Sequence, residues 1–180
     1  MDTEKIKARL VDQQRTLVQE GRPEALGRVL DLCTEYGMLF DVSLSPRDSI
    51  NWTGSTANVK NMPAENVLHE LAHWVIASKE ERLLPDFGLG EGPDSKTRSR
   101  AVLGSKQVDS VEGMASALGI LFQFALGMET YGTLLSHSWL TGHGSKWSDL
   151  NFDEHLRLLY ERGLIDAGAL PVSPWRRQVK

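Results

Sequence analysis

One helix of this chain must be buried on nearly every side while carrying two histidines and a glutamate at its centre. The segment PAENVLHELAHWVI, residues 63–76, spreads Val67, Leu68, Leu71, Ala72, Val75 and Ile76 over a wide arc of the helical wheel. A helix apolar around so much of its girth needs neighbours on several sides, so the fold has to be assembled around it. Pro63 suits the first helical position, and the pattern predicts a helix to about residue 81, with Pro85 closing the segment. Within it lie His69, Glu70 and His73, spaced H-E-x-x-H.

The rest of the chain supplies the neighbours. Ile6, Leu10, Leu17 and Val18 recur at helical spacing over residues 3–20, and a second helix is expected over 23–36, with Leu26, Val29, Leu30 and Cys33 on one face and Gly37 as its stop. Phe40, Val42 and Leu44 alternate with Asp41 and Ser43, which predicts one short strand. Ser45–Ser49 reads as a turn and residues 51–62 as polar loop. A further helix starts at Asp109 or Ser110 and reaches Leu126, ended by Gly127. Helical segments also follow over 131–140 and from Asn151 or Asp153 to Arg162. The expected fold class is therefore mainly α with a small β element (α+β), as a single domain over residues 1–180, with a zincin-like pairing of two site helices at its centre.

Composition removes several functions. A net charge of −4 and a pI near 5.7 give no reason to expect a nucleic-acid surface. The single Cys33 excludes an internal disulfide and a cysteine-rich zinc site. The first ten residues mix charges and do not resemble a signal peptide, and Ala117–Leu126, interrupted by Gln123, is too short for a membrane span. The expectation is a cytoplasmic protein with no membrane and no nucleic-acid partner.

On a helix, residues four apart lie about 40° apart around the axis and one turn along it. His69 and His73 can thus reach one ion. Glu70 lies about 60° from His73, beside that ion, where a hydrolytic zinc site keeps its general base. Glu70 is accordingly the catalytic candidate. Two histidines on an apolar helix can also be core residues bonded to backbone. A third protein ligand must come from elsewhere, and Asp86, Glu91, Asp94, Asp109, Glu112, His137, His143 and His155 are available. Glu112 is favoured because Glu112, Ser116, Gly119 and Gln123 form one narrow polar and small stripe on an otherwise apolar helix. A buried carboxylate needs a partner, and the small residues let the facing helix approach. The rival account is that Asp109 and Glu112 form a capping box at the helix start. His137 and His143 are expected at the surface or behind the ligands, and His155 in solvent. The loop 86–107 is Gly-rich and basic through Lys96, Arg98, Arg100 and Lys106, as a mobile lid can be. Within it, Asp86-Phe87-Gly88 lacks the companion motifs of a kinase, and the glycine run 88–92 is best read as turn.

A longer stretch carries a family resemblance. His69, Glu70, His73 and Trp74 are followed by Ile76-Ala77, Lys79, Arg82, Asp86-Phe87-Gly88 and Pro93-Asp94. This order resembles the elongation factor P hydroxylase family, over about 26 residues well and over Val111–Leu126 loosely. The resemblance implies a metal held by His69, His73 and Glu112, an active-site Glu70 of unassigned role, and Trp74, Asp86 and Phe87 as supports. It implies a protein substrate, elongation factor P or a similar acceptor, modified at a lysine, with Fe(II) as the cofactor. H-E-x-x-H spacing with a later helical glutamate also suits a zincin-like zinc metallopeptidase in which Glu70 activates water and the strand near Phe40–Leu44 offers an edge to a peptide. A binding module that has kept the fold without the chemistry is the third reading, opposed by the intact ligand set.

Overall fold

The computed structural model describes residues 1–17, 25–42, 51–60, 62–90, 101–128, 130 and 152–173. Among these, the elements in chain order are α1 (Thr3–Leu17), α2 (Ala25–Glu35), β1 (Phe40–Asp41), β2 (Ala57–Asn58), α3 (Ala64–Ile76), two 3-10 turns (Glu81–Leu83 and Pro85–Gly88), α4 (Ser105–Ala125) and α5 (Phe152–Glu161). The fold is mainly helical with a two-stranded sheet, as its sequence predicts. The expected helix over 131–140, the turn Ser45–Ser49, and Ser43 and Leu44 of the expected strand lie outside the described residues.

α3 and α4 pack along their lengths and form the centre. Val67, Leu68, Leu71 and Ala72 of α3 are fully buried, as are Met114, Ala115, Ala117, Leu118 and Ile120 of α4. α5 lies on α4, and α2 on α3. α1 buries Ile6 and Leu10 and is tied down by Lys7 to Asp153 of α5 (2.8 Å) and by Arg9, whose guanidinium sits 5.2 Å from the Phe124 ring centre. α2, α4 and α5 end in the same way. A glycine (Gly37, Gly127, Gly163) takes positive φ, and the next amide bonds back into the last turn, as in Met38 N–H to Cys33 O (2.9 Å) and Met128 N–H to Gln123 O (2.8 Å). The stops at Gly37 and Gly127 are those the sequence predicts.

The differences from expectation have local causes. α3 ends at Ile76 rather than near residue 81. Ala77 turns extended, and Ser78 and Glu81 then cap each other, with Ser78 N–H on Glu81 Oε2 (2.7 Å) and Glu81 N–H on Ser78 Oγ (3.2 Å). That reciprocal cap starts a new 3-10 turn in place of continued α-helix. Leu26 is 42% exposed, because the buried face of α2 is the narrower Val29–Cys33 stripe. β1 is two residues long and pairs in parallel with β2, Phe40 opposite Ala57, inside the segment expected to be loop. α4 starts at Ser105, a full turn before Asp109. Gly104 precedes it, its N–H held by Gln107 Oε1 (3.2 Å).

Candidate metal centre

The earlier start of α4 decides between the two accounts of Glu112. Asp109 and Glu112 lie in the second and third turns of the helix, so neither caps its first amides, and the capping-box expectation is corrected. The Glu112 carboxylate instead reaches across to α3. Its Oε2 lies 3.2 Å from His69 Nε2 and 3.3 Å from His73 Nε2, while the two Nε2 atoms are 3.0 Å apart. The small stripe of α4 leaves room for this approach: even a Cβ on Gly119 would stand 3.4 Å from the His69 Cα, an ordinary van der Waals contact, whereas a larger side chain would not fit.

Three donor atoms thus lie within 4.8 Å of one another. Donors bonded to one ion at about 2.1 Å are about 3.0 Å apart at right angles and about 3.4 Å apart at tetrahedral angles. The observed separations fall inside that interval, so the donor set fits a single divalent cation. Two imidazoles and one carboxylate suit iron and zinc alike.

Electrostatics favour the same site. Burial alone would push the Glu112 carboxyl up, but the charges and hydrogen bonds of His73 and His69 outweigh it and hold the group well below the usual carboxylate range. Burial would lower His73, yet Glu112 above all, with Glu70 and Asp86, raises it. The cluster is an anionic cradle for positive charge, whether proton or metal.

Glu70 is buried and raised above the ordinary carboxylate value, chiefly by desolvation. It does not join the donor triad. Its Oε1 accepts from Asn51 Nδ2 at 2.9 Å. Asp86 also stands apart as a ligand. Its Oδ1 accepts the backbone amides of Asn51 (3.0 Å) and Trp52 (3.1 Å), and its own N–H donates to Trp52 O (2.8 Å). These bonds hold Asp86 and Phe87 in the left-handed region, at φ 44° and 55°, where a non-glycine residue costs roughly 1–2 kcal/mol. The strained turn places Phe87 on the His73 ring, stacked at 5.6 Å. Trp52 stacks on Phe87 at 5.2 Å and meets Trp74 at 5.2 Å. Arg82 closes the set, 4.2 Å from the Trp74 ring centre with Nε on the Trp74 carbonyl (2.8 Å).

The remaining candidates separate clearly. Asp109 is exposed. Glu91, Asp94, His137 and His143 lie outside the described residues. His155, expected in solvent, is buried at 6% exposure on α5, seated on Gly113 of α4, where any Cβ would overlap its imidazole. Burial lowers its pKa. Sequence reasoning also missed Asn51 and Trp52, whose only signal was a tryptophan inside a polar loop.

By fold and donors this is a helical protein with a two-histidine, one-carboxylate site shared by paired helices. Comparison with known proteins bears out the family resemblance. The family described as elongation factor P hydroxylase matches residues 62–132, which hold α3, the Asp86-Phe87-Gly88 turn and α4. The elongation factor P lysine hydroxylase of Haemophilus influenzae is 28% identical over 99 residues, covering 55% of this chain and 53% of that protein. The chain therefore spans about half the length of the curated relative it matches. No solved structure matches the chain. No helix among the described residues is long and apolar enough to cross a membrane.

Proposed function

We propose that this chain is a metal-dependent protein hydroxylase, acting on a lysine side chain of elongation factor P or a similar acceptor, with ferrous iron held by His69, His73 and Glu112. The observation that carries the reading is the convergence of those three donors inside the one segment matched to the hydroxylase family. His69, His73 and Glu112 would hold the iron, which when bound would supply dioxygen activation beside the substrate. The chain's own residues do the rest. Phe87 and Trp52 shield one side of His73 from water and fix its ring. Glu70 stands beside the donors as a proton-handling group. A cavity of about 190 Å³ adjoins His73, walled by Ile76, Phe87, Leu89, Leu103 and Val111, with Glu81 and Arg162 also in its lining. The apolar side of this cavity suits the aliphatic part of an acceptor side chain, while Glu81, Gln107, Ser110 and Arg162 make the rest of the lining polar.

The test is to purify the protein without oxygen or chelator, measure iron and zinc per chain, and incubate the iron form with elongation factor P. Stoichiometric iron and an added oxygen atom on one lysine, seen by peptide mass spectrometry, support the reading. Zinc as the only metal, with peptide cleavage instead, would favour the zincin-like metallopeptidase, for which the buried Glu70 is the general base.

A further inference from the structure

Asn51 is an exposed residue whose side chain nevertheless ends on a buried carboxylate. Its backbone is fixed at both ends, the N–H by Asp86 Oδ1 (3.0 Å) and the carbonyl by Asn58 N–H (2.8 Å). The strained Asp86-Phe87 turn, which fixes the His73 ring through Phe87, is therefore the same turn that fixes the platform from which Asn51 reaches Glu70. A glutamate side chain has three rotatable bonds, and one anchored oxygen removes most of that freedom. The anchor also leaves the second oxygen available to whatever binds beside the histidines, because among the described residues Asn51 alone hydrogen-bonds this carboxylate.

We propose that Asn51 is a positioning residue, which holds the Glu70 carboxylate so that its second oxygen faces ligands bound at the His69–His73–Glu112 centre. This rests on the reading of that centre as a metal site, and it holds for a hydroxylase and for a hydrolase. Asn51 touches no donor of the triad, so its loss leaves the metal in place and changes only how a metal-bound ligand is met.

The probe is acetohydroxamate, a metal chelator with a proton-bearing nitrogen for a neighbouring carboxylate, titrated calorimetrically into full-length zinc-loaded protein. Asn51→Ala is expected to keep full metal content and weaken hydroxamate about tenfold, the scale of one charge-assisted hydrogen bond. Asn51→Asp, which swaps the donor for a second carboxylate, is expected to weaken it further. In a Glu70→Gln background, Asn51→Ala is expected to add nothing. A loop residue with a merely structural role would give additive losses and would not set Asp below Ala. Unchanged affinity in Asn51→Ala, or additivity with Glu70→Gln, overturns the inference while leaving the metal centre standing. A wild-type protein that takes up no zinc and no iron overturns the metal reading, and this inference with it.

Discussion

Gly113→Ala is the substitution whose cost the structure sets most directly. Gly113 lies in the middle of α4, where alanine would ordinarily stabilise the helix by about 0.8–1 kcal/mol. Here the new Cβ would land inside the His155 imidazole, in a contact where both residues are buried. α5 must shift or His155 must leave its rotamer, and such overpacking costs about 1–3 kcal/mol. The net expectation is destabilisation by up to about 2 kcal/mol, a drop in melting temperature of up to roughly 8 °C for a chain of this size. Urea unfolding of the metal-free protein, with a melting curve alongside, measures it. The control is the same change made in His155→Ala, where the ring is gone. There Gly113→Ala should stabilise by about 0.5–1 kcal/mol, giving a coupling of about 2 kcal/mol between the two sites. If Gly113→Ala stabilises the wild-type background, His155 does not occupy the place described, and the packing of α5 on α4 is wrong.

Glu112→Ala should abolish stoichiometric metal binding while the apo protein still folds, read by elemental analysis after dialysis. Retained metal would exclude Glu112 as the third ligand. Glu70→Gln should leave metal content unchanged. A partial loss of turnover would suit a hydroxylase, whereas complete loss of peptide cleavage would mark Glu70 as a hydrolytic base. Gly119→Ala should be nearly neutral, its Cβ in ordinary contact with α3, whereas Gly119→Leu should push the helices apart and cost metal affinity before it costs helix content. In the metal-free protein the His73–Glu112 pair has a defined pH window. His73 is raised above 6.5, so its contribution is full below that pH and fades as pH rises through its folded value. Glu112 is depressed below 4.5, so its contribution is full above that pH and is lost only in stronger acid. The stability advantage of wild type over His73→Gln should therefore be greatest between about pH 4.5 and 6.5, and an advantage that grows above pH 7 would contradict the pairing.

How much of this was legible depended on how local each signal is. The wide apolar arc of α3, the polar stripe of α4 and the glycine stops are properties of single helices, so periodicity reveals them. The donor triad could be read because two donors share one helical turn and the third lies on a polar stripe of an otherwise apolar helix, which needs a partner. The start of α4 was misplaced because Asp109 is a good cap in isolation, and only the Gly104–Gln107 contact moves the boundary. β2 was invisible, since two residues paired in parallel with a segment 17 positions away leave no alternation to read. His155 has charged neighbours in sequence, and its burial is decided by a missing side chain on another helix.

The placement of the donors has a consequence for the whole chain. His69 and His73 belong to one helical turn, but Glu112 follows His73 by 39 residues. An ion held by all three would act as a reversible cross-link, closing a loop that includes the Asp86-Phe87-Gly88 turn. In the unfolded chain the two histidines alone would offer only a weak grip, so tight binding would require the loop to be closed first. Metal affinity and global folding would then be one equilibrium seen from two ends, and a chelator would loosen the protein far from the atoms it strips.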